Sequence, residues 1–286
     1  MNFRIPLGDW ADALVGWLTT ALDGLFDVLG AVLRGSYDVV FPVLSAPPFW
    51  VVALILAALA YLAKGWRLAV GSLVGFAVIY GVDQWDNAMA SLALVLVASV
   101  IALLIAIPVG IWAARNARVS AAVRPVLDFM QTMPAFVYLI PAVVLFRVGV
   151  VPGLVATIIF ALAPGVRFTE LGIRQVDGEV VEAGHAFGAT PGRILRQVQL
   201  PLAMPTIMAG VNQVIMLALS MVVISGMVGA AGLGQDVVQA LQRVDIGLGF
   251  EAGLSVVILA MFLDRVTAAL GDRSPVSRAL KVRAAA

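Results

Sequence analysis

The chain is 286 residues long; 62% are hydrophobic and 12% charged, giving a mean hydropathy of +1.03. Soluble domains carry about a quarter charged residues, so this composition excludes one and identifies an integral membrane protein. A net charge of +1 gives no footing for a nucleic-acid partner, and the absence of cysteine excludes disulfides and thiolate metal sites.

The N-terminus, MNFRIPLGDW, lacks the basic-then-apolar pattern of a cleaved signal peptide. Over residues 9–33, Trp10, Leu14, Trp17, Leu18, Leu25, Leu29 and Val32 can share one helical face, while Asp9, Asp12, Asp23 and Asp27 interrupt the run. The pattern predicts an amphipathic helix that lies on a membrane surface, or packs against partner helices, rather than spanning. Pro42, Pro47 and Pro48 are expected to break the chain. A spanning helix needs about 20 apolar residues. Seven segments qualify or come close: 49–64, 66–82, 86–114, 125–148, 151–171, 201–226 and 248–271. The tight Lys64-Gly65-Trp66-Arg67 link joins the first two as a hairpin. Pro134 and Pro141 in the fourth segment and Pro164 in the fifth free backbone carbonyls, which suits kinked helices lining a path and also purely structural ones.

Basic residues set the orientation. Lys64, Arg67, Arg115, Arg118, Arg124, Arg167, Arg174, Arg193, Arg196, Arg265, Arg273, Arg278, Lys281 and Arg283 fall on one side; Arg4, Arg34, Arg147 and Arg243 fall on the other. The first side is therefore cytoplasmic and holds the C-terminus, with the N-terminus outside.

One polar stretch interrupts the apolar half of the chain: EVVEAGHAFGATPGRILRQVQLPLAMP, residues 179–205. Asp177 can cap a short helix carrying Glu179 and Glu182 in its first turns, where the helix dipole favours acids. Gly188 can end it with positive φ. Thr190–Pro191 then reads as an N-cap and a first-turn proline, opening a second short helix with Arg193 and Arg196 outward and Ile194, Leu195 and Val198 inward. Leu200–Pro201 is expected to break that helix before the next span.

This stretch resembles the "EAA" loop of permease subunits of ATP-binding-cassette importers, with Glu182-Ala183-Gly184, Gly188, Ile194 and Leu200-Pro201 in the family's order and Gly184 in place of an alanine. The segments LDFMQTMPAFVYLIPAVVLF (127–146), GIRQV (172–176), PTIMAGVNQ (205–213), LALSMVVI (217–224) and DIGLGFEAGL (245–254) are similar to the glycine betaine/proline-type osmoprotectant and choline permeases. The likeness covers roughly residues 85–271. It implies an all-α polytopic fold of the type I importer class, with about seven transmembrane helices, an N-terminal amphipathic helix and a cytoplasmic coupling helix. The implied parts are a surface extension (1–48), a peripheral hairpin (49–82), a permease domain (83–272) with coupling helices at 178–199, and a cytoplasmic tail (273–286). It further implies a homodimer in a bacterial inner membrane, contacting lipid, with two cytoplasmic ATPase subunits and an extracytoplasmic binding protein. The cargo implied is a quaternary ammonium or related osmolyte, carried by alternating access: glycine betaine, choline, proline betaine, trimethylamine N-oxide or proline. An amino-acid or methionine-type importer is the alternative within the class, and a secondary carrier the alternative outside it.

The implied coupling residues are Glu179, Glu182, Ala183, Gly184, Phe187, Gly188, Pro191 and Arg193. Phe129, Met133, Phe136, Tyr138, Met216 and Met221 are candidates for a substrate path: aromatic faces attract quaternary ammonium, and methionine adapts to moving surfaces. The same residues equally serve as core packing. No catalytic set is expected. His185, the lone histidine, has no metal-ligand neighbours, and Ser220 and Ser225 stand far from it along the chain. Gly229–Gly234 lacks the Gly-Lys-Ser/Thr ending of a phosphate cradle and reads as a flexible external loop where a delivery protein could dock. No cofactor is expected in this chain; ATP and magnesium would sit on the partner ATPase. Asp128 and Glu170 fall near cytoplasmic ends and Asp264 beside Arg265, so no paired acids mark the midplane as in proton-coupled carriers.

Overall fold

A computed structural model describes residues 6–272, so the tail over 273–286 and Arg4 lie outside the described residues. Every described element is helical: α1 (Leu7–Ala21), α2 (Asp23–Ser45), α3 (Phe49–Lys64), α4 (Trp66–Gly81), α5 (Trp85–Arg115), α6 (Ala117–Thr132), α7 (Ala135–Phe146), α8 (Val150–Arg174), α9 (Gly178–Ala186), α10 (Pro191–Ile194), α11 (Leu200–Ser220), α12 (Val222–Met227), α13 (Leu233–Arg243) and α14 (Ile246–Asp272). The core is the pair α5–α8, with α11 packed on α8 and α14 on α11. The buried face of α5 is largely alanine (Ala88, Ala93, Ala98, Ala102 and Ala106), and such small side chains let helix backbones approach closely where lipid offers no hydrophobic drive.

Length and composition alone mark five helices as able to cross a membrane: α2, α5, α8, the run Pro191–Met227, and α14. The pair α6–α7 makes a sixth, bent by 95°. Helices α3 and α4 have 16 residues each and reach only about 24 Å at 1.5 Å per residue. Counting them with the bent pair, and leaving α2 aside, returns the seven segments expected. The geometry supports leaving α2 aside. Phe26 meets Phe146 edge-on at 5.6 Å, while Ser45 leads within four residues to Phe49, which stacks on Tyr80 at 3.8 Å and lies edge-on to Trp85. Gly149, just past Phe146, bonds Val228, and Leu233 bonds Ser91 near Trp85, so both ends of α2 lie at the same end of the bundle.

Several expectations are corrected here. The 9–33 segment is two helices broken at Leu22, not one. Pro42 does not break the chain but sits within α2; Asp38, whose carbonyl loses its i+4 donor, is exposed. Pro47 and Pro48 do separate α2 from α3. The 125–148 segment is not one continuous helix: Pro134 holds Met133 extended (φ −73°, ψ 130°), and α7 starts afresh at a steep angle to α6. Leu200–Pro201 does not end a helix either. Residues Leu195–Gln199 form a π-helical turn in which the Leu200 amide reaches back to the Leu195 carbonyl. That wider turn relieves the clash between the proline ring and the preceding turn, and the helix runs on into α11.

Candidate functional site

The 178–199 stretch projects from the bundle as two short helices. The Asp177 carboxylate accepts the Glu179 amide at 2.9 Å, fixing the start of α9. Its end is a Schellman turn: Ala189 N–H bonds the Gly184 carbonyl at 3.1 Å and Gly188 N–H bonds His185 at 2.9 Å. Gly188 sits at φ +76°, which only glycine adopts without strain. Thr190 holds the N-cap position of α10 with Pro191 following, although its hydroxyl makes no capping bond. Ile194 and Leu195 are buried and Val198 half-buried, while Arg193 and Arg196 are exposed, as the spacing predicts. Gly184 faces this core: a Cβ there would lie 3.3 Å from Ile194 Cγ1, a tight contact that the isoleucine side chain would have to relax.

Of the expected coupling residues, Glu179, Glu182, Ala183, Phe187, Gly188, Pro191 and Arg193 are exposed and Gly184 is half-buried. Phe187 is 92% exposed, at the tip of the turn. On this capped turn the phenylalanine ring is an apolar group that the chain itself leaves uncovered. Three arginines, Arg115, Arg193 and Arg196, line an adjoining cleft of about 530 Å³ with Thr190 and Gln197.

At the base of α8 the structure adds a cluster that spacing along the chain does not reveal. Glu170 is buried, accepts the Ser120 hydroxyl at 2.7 Å and pairs with Arg124 at 3.2 Å and Arg174 at 3.0 Å. Arg174 also donates to the Ala113 carbonyl at 2.9 Å, so one carboxylate ties α5, α6 and α8 together. Asp128 pairs with Arg167 beside it. Asp264 is farther from Arg265 (3.9 Å) than expected; its nearer partner is Asn212, whose amide donates at 3.0 Å. Asn212 in turn accepts from Thr267, giving a polar latch between α11 and α14.

The path candidates divide. Met133, Tyr138 and Met221 meet in one cluster with Leu139, Ala156 and Phe160, whereas Phe129, Phe136 and Met216 stand outside it. Phe129 and Phe136 are 62% and 49% exposed on α6 and α7. The Gly229–Gly234 stretch is not a flexible loop. Ala230 and Leu233 are buried, the Leu233 amide donates to Ser91 Oγ at 2.9 Å, and the Gly149 amide bonds the Val228 carbonyl at 2.8 Å. A Cβ on Gly234 would overlap the Val222 carbonyl, so the turn packs against α12 too tightly for any side chain. Asn87 fastens it further, donating to Asp236 at 2.6 Å.

Residues 106–274 match the family described as binding-protein-dependent transport system inner membrane component. The chain is 48% identical to the glycine betaine/carnitine transport permease of Listeria monocytogenes over 94% of its own length and 97% of that protein's. It is 46% identical to the glycine betaine/proline betaine permease of Escherichia coli, covering 94% and 76% of the two chains. A trimethylamine N-oxide permease of Ruegeria pomeroyi is 38% identical over 92% of this chain and 42% of its own. Among solved structures, an inward-facing MetNI methionine ABC transporter superposes with a TM-score of 0.58 at 24% identity, covering 67% of this chain and 93% of the other.

Proposed function

Because the chain belongs to the inner membrane components of binding-protein-dependent transport systems, the permease subunits of ABC importers, we propose that it carries a betaine-type osmolyte inward as half of a homodimer driven by two ATPases. As a permease it is not an enzyme; ATP hydrolysis falls to a separate subunit. In this reading Glu179–Arg193 is the contact through which the ATPase pair moves the membrane helices, and an external binding protein delivers the cargo. The observation that carries the coupling role is the bare Phe187 on a turn held by Asp177 and Gly188. The basic residues at the same end as this turn support its placement in the cytoplasm, with the C-terminus, and the Trp85–Phe146 end outside. The position of α2 at the Trp85–Phe146 end supports an N-terminal extension on the outer surface.

Relatives at 46–48% identity named for glycine betaine support that substrate class over the methionine type, where the likeness is one of fold. The test is reconstitution of the permease with its ATPase and binding protein in vesicles, followed by ATP-dependent uptake of labelled glycine betaine. Uptake that needs all three components supports the reading. Betaine uptake that proceeds without ATPase would refute it.

A further inference from the structure

We propose that the first turn of α7, together with the Tyr138 hydroxyl, forms a transient site inside the membrane for the substrate's carboxylate. The inference rests on the betaine reading above and adds a binding role for the permease itself.

Helix α7 has 12 residues and reaches about 18 Å, against a hydrocarbon core about 30 Å thick. Its far end, Phe146, lies with Trp85 and Val150 at one end of the bundle, so its N-terminus ends part-way across. The amides of Ala135 and Phe136 open that turn without a hydrogen bond among the described residues; the first to find one is Val137, bonded to Pro134 at 2.9 Å. In water such donors are hydrated; at membrane depth they need a partner.

Tyr138 supplies the second, independent observation. It is 7% exposed, and its hydroxyl has no hydrogen-bond partner. Helical side chains point back toward the N-terminus, so its ring leans over the first turn of α7, and the cluster it belongs to is flanked by Met133 and Ala135 at the bend. The same cluster holds Met221, the joint between α11 and α12. Two interrupted helices thus meet at one buried, unsatisfied hydroxyl, and interrupted helices are where transporters place substrate groups.

The chemistry fits one ligand class. A betaine's quaternary ammonium has no N–H to donate, so its carboxylate is its only hydrogen-bonding group, and that group only accepts. The Tyr138 O–H and the two amides only donate in this geometry, and the positive end of α7 favours an anion. Substrate reaches them when the cluster holding Tyr138 and Met221 opens; in the packed state the hydroxyl is buried.

The test compares wild type and Tyr138→Phe in the reconstituted transporter with saturating binding protein. Loss of one charge-assisted hydrogen bond should lower glycine betaine uptake about tenfold. Subunit assembly should stay at wild-type level, and the melting temperature should hold or rise, since the lost hydroxyl had no partner. Full uptake by Tyr138→Phe would overturn the site while leaving the transport reading intact. Reduced uptake accompanied by equal losses of assembly and melting temperature would assign Tyr138 to packing and overturn it too. Failure of the wild type to carry betaine would overturn both.

Discussion

Phe187 offers the cleanest separation of coupling from folding. At 92% exposure it buries almost nothing in the permease, so Phe187→Ala should change the permease's own stability by less than about 0.5 kcal/mol. Against a partner the same ring has nearly its whole apolar surface to bury, and burying a phenylalanine side chain is worth about 2 kcal/mol. The expected result is a roughly thirtyfold weaker Kd for the ATPase subunit. Titrating ATPase onto purified permease in lipid nanodiscs measures that Kd, and a thermal melt of the same sample checks the fold. Unchanged affinity with an unchanged melt would show that Phe187 faces no partner, and the coupling role given to this turn would lose its main support. A lowered melt would show instead that the ring packs within the permease.

Glu182→Lys should insert normally yet retain less ATPase on co-purification, because it reverses an exposed charge on the proposed docking face; full retention argues against an electrostatic contact there. Gly188→Val should lose both ATPase and uptake, since a β-branched residue at φ +76° costs about 1–2 kcal/mol and misaims α10; nothing blocks the side chain sterically, so Gly188→Asn, which tolerates positive φ, should restore most of the function. Glu170→Ala should destabilise the permease by about 2 kcal/mol in a denaturation assay, as Ser120, Arg124 and Arg174 lose a shared acceptor and only the exposed guanidinium groups regain water. A tag read only outside the cell should report near Asn2, and one read only inside should report at Ala286; both on one side would contradict the position of α2.

What was legible in the sequence was whatever depends on neighbours along the chain. Asp177, Gly188 and Pro191 mark the ends of α9 and the start of α10 because capping is local, and the apolar runs mark α5, α8 and α14 because hydropathy is additive. Tertiary closure was not legible. Gly229–Gly234 carries the composition of a loose loop, yet Gly234 is there because Val222 leaves no room for a Cβ, and Val222 is twelve residues away in sequence and adjacent only in space. Glu170 likewise meets Ser120, fifty residues earlier, only once α6 folds back on α8. Pro201 misled for another reason: proline normally stops a helix, and the π turn that accommodates it has no clear residue signature.

That π turn gives the coupling proposal its mechanical content. Residues Pro191–Met227 form one helical run from the exposed turn to the Met221 joint beside Tyr138. From Pro191 to Ser220 the run is about 45 Å long, so a small tilt at its cytoplasmic end displaces the other end by a comparable angle times that length. A stiff rod alone would transmit every fluctuation of the ATPase. The widened turn at Leu195–Gln199 lies between α10 and α11, and in this proposal it lets α10 reorient before α11 has to follow. Ile194 and Leu195 are buried there and limit that slack, so a large ATPase displacement must be passed on to α11 and hence to Met221. In the proposed mechanism the coupling turn and Met221, which shares a cluster with Tyr138, are two ends of one helical run.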